Sequence, residues 1–291
     1  MPIFFLSCVI VLIYIYLGYP LAILIVSIFN NKKVNKEYHD ANITILIAAY
    51  NEEEHIEATI RNKLELDYPK DKIEIIVISD SSTDKTDEIV KNFVGCGVKL
   101  IRQEPRQGKT AALNMAVPHA NGDIIVFSDA NSIFGHDALR QLVSNFHDPN
   151  VGYVTGKMIY INPDGSPVGD GCSAYMKYEN FLRECETKIG SIVGVDGGID
   201  AVRKSLYKPM RADQLPDFVL PLMVIEQGYR VVYEPRALLK ESALKSSGDE
   251  YRMRVRVSLR ALWALFDMRS LFDFRRFGLF SWQLISHKAM R

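Results

Sequence analysis

From Ile3 to Phe29 the chain carries no charged side chain, and beyond residue 42 short apolar runs alternate with amphipathic ones. Ile43–Ala48 (ITILIA), Ile73–Ser79 (IEIIVIS), Val98–Arg102 and Asp123–Ser128 (DIIVFS) are brief and mostly β-branched, which predicts four strands. Between and after them, Glu53–Leu66, Asp84–Phe93, Thr110–Ala120 and Asp137–Phe146 place apolar residues at helical spacing. Strand and helix in turn predict an α/β fold with a mainly parallel sheet covered on both faces; continuous rather than alternating apolar strands agree with that burial. After Val151 the pattern loosens. Val151–Ile161 reads as a longer strand, 162–171 as a Gly/Pro/Asp loop and Ala174–Ile189 as a helix. Leu215–Gln227 reads as a helix ended by Gly228, Arg230–Glu234 as a strand, Glu250–Asp267 as a basic amphipathic helix and Leu271–Arg291 as a mixed apolar and basic tail.

A helix over Ile3–Phe29 would be roughly 40 Å long, more than the ~30 Å hydrocarbon core of a bilayer. Tilt, or a kink at Pro20, is expected to absorb the excess, and Tyr14, Tyr16 and Tyr19 suit an interface. A cleaved signal peptide fits less well: no positive charge precedes the run, which is far longer than a signal core. Lys32, Lys33 and Lys36 come directly after it, so a retained single-pass anchor in the cell membrane is expected, with the α/β domain in the cytosol. The expected divisions are an anchor at 1–30, a polar linker at 31–42, the α/β domain at 43–240 and amphipathic or interfacial helices at 241–291.

Charge narrows the field. Lys plus Arg and Asp plus Glu number 35 each, and no basic field points to nucleic acid. The cysteines, Cys8, Cys96, Cys172 and Cys185, form no C-x-x-C pair and no His stands at metal-ligand spacing from them, so they read as reduced thiols; the six histidines read as structural or surface residues.

Ligands of an open parallel sheet bind beyond the carboxyl ends of its strands. This chain puts Ala49-Tyr50-Asn51-Glu52 after the first strand, Asp80-Ser81-Ser82-Thr83-Asp84 after the second and Asp129-Ala130-Asn131 after the fourth. Three acidic clusters at one sheet edge call for a cation or sugar hydroxyls as partner. Asp84 reads first as a helix cap, and Asn51, Ser82 and Thr83 have the same structural alternative. Asp80 and Asp129, each ending an apolar strand, read as functional. Asp129 with Asn131 suits a hard divalent cation held alongside phosphate. Gly108-Lys109 opens a helix, where a lysine charge and free N–H groups suit phosphate; the spacing is not that of a P-loop.

Together these segments resemble the family-2 glycosyltransferases and their nucleotide-binding fold, called GT-A. ITILIAAYNEE is similar to the family's opening strand and P-x-Y-N-E turn, with Ala48 in the place of proline. ISDSSTDKT resembles V-x-D-D-G-S-x-D, with Ser81 and Ser82 replacing Asp-Gly. GKTAALNMA resembles G-K-x-x-A-L-N-x-G, FSDANS stands at the metal-binding D-x-D, and VDGGIDAVRKSLY resembles the acceptor-side segment. LPDFVLPLMVIEQGYRVVYEP resembles the segment that carries the catalytic base. The match runs from about Ile43 to Arg256.

The resemblance implies roles. Ala49 and Tyr50 would lie at the base of the nucleotide, Glu52 at its ribose and Asp80 at the base edge. Lys109 would support the nucleotide, Asp129 and Asn131 would hold ribose and metal (Mn or Mg), and Asp217 would take the acceptor's proton. It implies an inverting, metal-dependent transferase with a nucleotide-sugar donor, expected to be UDP-linked, and a sugar or lipid-linked acceptor. Among family members the chain resembles the membrane-associated cellulose, hyaluronan and poly-N-acetylglucosamine synthases. Their Q-x-x-R-W is matched here by Met253-Arg254-Val255-Arg256-Val257, without Gln or Trp. Arg254 and Arg256 would contact diphosphate; Arg252, Arg256 and Arg260, on one helix face, suit diphosphate or anionic membrane lipids equally. The later membrane helices of those synthases are missing, so a shortened or split chain, or transfer without polymer export, is expected. Other classes remain in view. A non-catalytic nucleotide-sugar-binding subunit of a membrane complex is the alternative. Nucleotidyl transfer lacks its basic triphosphate loop, and a dehydrogenase lacks G-x-G-x-x-G after the first strand.

Overall fold

The computed structural model describes the backbone of residues 2–161, 170–242 and 247–291, and side chains at 3–161, 174–241 and 255–291. The 162–171 loop thus falls largely outside the described residues, and Cys172, Arg252 and Arg254 outside the described side chains. Eight strands form one sheet: β1 (Ile43–Ala49), β2 (Ile73–Asp80), β3 (Val98–Gln103), β4 (Ile124–Asp129), β5 (Ile133–Phe134), β6 (Val151–Ile161), β7 (Ile199–Arg203) and β8 (Arg230–Ser242). Their order is β3-β2-β1-β4-β7-β6-β8-β5. The first four are parallel, β7 runs antiparallel to both β4 and β6, and β8 is parallel to β6.

Both faces of β1, β2 and β4 are buried, which is why they read as largely apolar runs, whereas β3, at the sheet edge, exposes Lys99 and Arg102. Ile43, Ile45, Ile47, Ile75, Val77, Ile124 and Val126 face one core. Leu46, Ile76, Ile78, Ile125 and Phe127 face the other. The first core is roofed by α3 (Ile56–Leu64) and α6 (Ala138–Ser144) through Ile56, Ile60, Leu139 and Leu142, with α4 (Thr86–Lys91) adding Val90. The second is roofed by α5 (Lys109–Ala116) and α8 (Pro216–Glu226). Burying a Leu or Ile side chain contributes about 1.5–3 kcal/mol, so these two layers dominate the stability.

Two strands have no signature in the apolar pattern. β7 reads Ile-Asp-Ala-Val-Arg, with Asp200 interrupting the run, and β5 is two residues long. β8 continues eight residues beyond Glu234 because its pairing with β6 shifts register across the segment holding Pro235, a bulge that removes the need for the proline's missing N–H.

The N-terminal helix comprises α1 (Pro2–Ile13), a π-helical turn at Tyr14–Gly18 and α2 (Tyr19–Phe29). The irregular turn immediately precedes Pro20, whose absent donor and ring it accommodates. It is the one helix among the described residues long and apolar enough to cross a membrane. Its second half is also part of the fold. Tyr19 and Ile23, one turn apart, are buried against Leu182, Cys185 and Ile189 of α7 (Asp170–Ile189). Its other face exposes Leu17, Leu21, Ile25 and Ile28.

After α9 (Ser247–Asp267) the tail forms α10 (Phe274–Phe277), α11 (Leu279–Leu284) and a π-helical turn. It turns inward: Leu271, Phe280 and Leu284 enter the second core, and Trp282 packs on Tyr19. Trp282 Nε1 donates to the Tyr14 hydroxyl at 2.8 Å, closing the chain's two ends on each other.

Candidate active site

The parallel strands deliver their acidic ends to one edge, as the alternation of elements requires. β1 ends at Ala49, which is buried, and the backbone turns at Asn51 with φ 54°. Asn51 ties the first two strand ends together: its N–H donates to Ser82 Oγ at 3.2 Å, and its Oδ1 accepts from Thr83 N at 2.8 Å. Asp84 accepts from Glu53 N and from both the N–H and hydroxyl of Thr86. Its structural role therefore holds, as a clamp between two loops as well as a cap.

Asp80 is almost wholly enclosed. Its Oδ1 accepts from Gln103 Nε2 (2.5 Å) and Gln107 N (2.9 Å), and its Oδ2 from Gly108 N (2.8 Å). The carboxylate thereby shapes the loop that leads into α5, with Gly108 at φ 90° just before the helix. Arg106, on that loop, lays its guanidinium 3.5 Å from the centre of the Tyr50 ring. The apolar pattern holds no hint of Arg106, because only the closing of this loop by Asp80 brings it over β1.

At the centre of the edge, Lys109 Nζ stands 2.7 Å from Asp129 Oδ1 and 3.5 Å from Asp217 Oδ1. Burial alone would depress the lysine, but the Asp129 and Asp217 carboxylates hold its pKa above the ordinary value. Asp217 lies in the first turn of α8, where the helix end favours a carboxylate. Burial raises its pKa, the Asp129 charge adds to this, and Lys109 opposes both. Gly197, at φ 79°, packs directly on it: a Cβ there would meet Asp217 Cγ at 3.0 Å. The lack of a side chain at Gly197 is what lets the carboxylate sit against this backbone. Glu52 is half-buried at the same edge, its pKa raised by burial and by the Asp129 and Asp84 charges.

Asn131 Nδ2 approaches Glu241 Oε1 of β8 at 3.3 Å. Burial raises the Glu241 pKa, as does the Asp129 charge. Sequence reasoning misses Glu241, because it enters the site on the part of β8 beyond Pro235. The turn that carries Asn131 is held from behind by three side chains of α3. Thr59 donates to the carbonyl of Ala130 (2.6 Å), Asn62 bonds both N–H and C=O of Phe134, and the fully buried Lys63 donates to the carbonyl of Ser132 (2.6 Å). Burial pushes the Lys63 pKa well down.

Near Asp217, Asp200 is wholly buried, with the Thr155 and Tyr153 hydroxyls as polar neighbours. Burial, then the Asp217 charge, push its carboxyl up to about 8, so it is held as the neutral acid at pH 7. Arg203, which the resemblance sets at the end of the acceptor-side segment, donates to the carbonyls of Val151, Phe146 and Asp148 and ties strands together. Arg256 is exposed on α9, and no described contact joins it to the cluster.

The family model described as "Glycosyl transferase family 2" matches residues 44–207, more than half the chain. The poly-beta-1,6-N-acetyl-D-glucosamine synthase of Staphylococcus aureus (strain COL) is 30% identical over 225 residues, covering 74% of this chain and 53% of that protein. The synthase of the same name from Staphylococcus epidermidis is 28% identical over 258 residues, covering 84% and 62%. The chain thus spans little more than half the length of these relatives. Among solved structures, a mannosyltransferase from Pyrobaculum calidifontis in complex with GDP-Man and Mn2+ superposes with TM-score 0.79 at 24% identity, over 97% of this chain and 80% of that one. Residues 1–349 of S. aureus TarS, in complex with UDP-GlcNAc, give 0.58 at 15% identity, over 86% and 74%. These likenesses establish the GT-A architecture.

Proposed function

Since the chain belongs to glycosyl transferase family 2, we propose that it moves a sugar from a nucleoside-diphosphate sugar to an acceptor hydroxyl at the cytosolic face of a membrane. The observation that carries this is the Asp129–Lys109–Asp217 line across the strand ends. Asp217 acts as general base: it takes the acceptor's proton as the acceptor oxygen bonds the anomeric carbon. The bond from that carbon to the diphosphate breaks, the diphosphate leaves with the electron pair, and the configuration inverts. Lys109 faces both carboxylates and supports the departing charge. Tyr50 with Arg106 walls the base, Asp80 fixes the loop beside it and Glu52 bonds the ribose.

A divalent cation suits the oxygen donors Asp129, Asn131 and Glu241. Bound there, it would supply Lewis-acid neutralisation of the leaving diphosphate. Among the described residues no three His, Cys, Asp or Glu side chains gather tightly enough to hold an ion unaided, so diphosphate oxygens complete the set. The relatives' name favours a UDP-linked N-acetylhexosamine and a growing glycan as acceptor. The N-terminal helix anchors the chain.

The test is transfer from radiolabelled UDP-GlcNAc, UDP-Glc and GDP-Man by purified membranes, with Mn2+, Mg2+ or chelator. Chelator-sensitive incorporation from one donor is expected. Donor binding without turnover from any of them would favour a non-catalytic subunit instead.

A further inference from the structure

A cavity of about 640 Å³ opens where the N-terminal helix, α7, α9 and the C-terminal turn meet. Tyr16, Tyr175 and Tyr178 wall it, with Ser258, His287, Lys288 and Arg291 as its other polar groups. No part of the catalytic cluster lines it.

Its charges are unevenly matched. Glu179 pairs with Arg291 and with His287 Nε2 at 3.3 Å. Glu186 accepts from the Tyr19 hydroxyl (2.6 Å) and meets His287 Nδ1 at 2.7 Å. Asp196 is held by both terminal nitrogens of Arg183 at 2.5 Å. Every carboxylate here is thus already matched. Lys288 makes no direct hydrogen bond or ion pair among the described residues and feels Glu179 and Glu186 only through space, while its stem is packed so closely on Gly194 that a Cβ there would meet Nζ at 2.7 Å. A part-buried ammonium with no directly bonded counter-ion carries a desolvation cost, and an anion entering the cavity would relieve it. The Arg291 guanidinium, 5.3–5.6 Å from the three tyrosine ring centres, stands at the same opening with donors to spare.

The surroundings say what kind of anion. Tyr16 belongs to the helix whose exposed face carries Leu12, Leu17 and Leu21; across the cavity α9 exposes Leu259, Leu262, Trp263 and Phe266. A basic, tyrosine-walled pocket between two exposed apolar stripes fits a charged head with a hydrocarbon tail. We propose that this cavity binds the phosphate of a lipid, with Lys288 as its counter-ion, Arg291 and Ser258 as further donors, and the tail lying along the N-terminal helix and α9. The inference rests on the membrane-facing reading of that helix, and not on which sugar is transferred. It also places the lipid near the chemistry. Lys288 touches Gly194, and Gly197, which lines Asp217, is three residues on, at most about 11 Å along the chain.

The experiment uses the full chain in neutral maltoside micelles. It is titrated with short-chain phosphatidic acid, polyprenyl phosphate, phosphatidylcholine and inorganic phosphate, and read by thermal shift and native mass spectrometry without donor or turnover. Saturable stabilisation by the two lipid phosphate monoesters is expected, with at least tenfold weaker binding in Lys288→Gln and no change in the exposed Lys91→Gln. Ala261→Phe, which fills the cavity from α9, is expected to abolish lipid binding while UDP binding persists, which also shows that the variant is folded. Unaltered lipid affinity in both cavity variants would overturn the proposal, as would equal stabilisation by inorganic phosphate. Loss of membrane association in cells with lipid binding intact would bear on the anchor alone.

Discussion

Asn131 donates to Glu241 at 3.3 Å, joining the turn after β4 to the far end of β8. The pair places a carboxylate beside the position where the family motif has its second acid. Glu241→Gln is therefore expected to raise the Mn2+ concentration for half-maximal transfer by about tenfold or more, roughly 1.4 kcal/mol. Asn131→Asp is expected to lower it. Metal titrations of activity, or calorimetry with Mn2+ and UDP, read both; unchanged metal dependence in the two variants would remove this pair from the cation site.

Asp217→Asn keeps the shape of the first turn of α8 and removes the proposed base. A fall in kcat of about 10²–10⁴-fold is expected, with UDP affinity within about twofold of the parent. Single-turnover rates and equilibrium UDP binding separate the two, and near-normal turnover would take Asp217 out of the mechanism.

Asp200 ties stability to pH. Its folded pKa, about 8, lies above the unfolded value near 3.8, so the folded state binds the extra proton between those limits. The penalty is absent below about pH 4, grows as pH rises and is complete above about pH 8. Asp200→Asn removes the titration. Relative to the parent, the variant should gain stability from about pH 5 to about pH 9, by on the order of several kcal/mol at most. Parallel melting curves across that range would show that Asp200 does not titrate there.

Lys63 acts at one remove from the ligands. Lys63→Met keeps the volume but leaves the Ser132 carbonyl without its donor, at a cost of about 1–3 kcal/mol offset by removal of a buried charge. The distinguishing readout is metal dependence. The turn bearing Asn131 should loosen and the Mn2+ requirement rise, while UDP affinity in the absence of metal stays constant. A change in melting temperature without a change in metal requirement would assign Lys63 to the fold alone.

β1, β2 and β4 are legible because each is buried on both faces and so writes itself as an apolar, β-branched run; β3, at the edge with Lys99 and Arg102 exposed, is legible from its place in the alternation of elements. Val151–Ile161 is read to the residue for the same reason. The antiparallel half is not, because β7 spends a central position on Asp200 and β8 conceals its length behind Pro235. Asp80, Lys109 and Asp129 are legible as strand-end or helix-start residues and Asp217 through the family resemblance alone, and the fold brings the last three together. Glu241, Arg106 and Lys63 are not: each reaches the site through a tertiary contact that leaves no periodic trace. The tail looks interfacial from its mixed composition, yet apolar positions one turn apart, Phe280 and Leu284, point into the core.

The packing of α2 against α7 bears on how this protein is handled at the bench. A chain trimmed at residue 30, the usual cut for making a membrane enzyme soluble, would lose Tyr19 and Ile23 and leave Leu182, Cys185 and Ile189 facing water. Glu186 would lose a hydroxyl that donates to it at 2.6 Å, and Trp282 would lose both its stacking partner and the acceptor of its N–H. The segment that looks most dispensable is a wall of the fold, and a preparation that keeps it, in detergent or a lipid disc, is the one suited to testing binding and turnover.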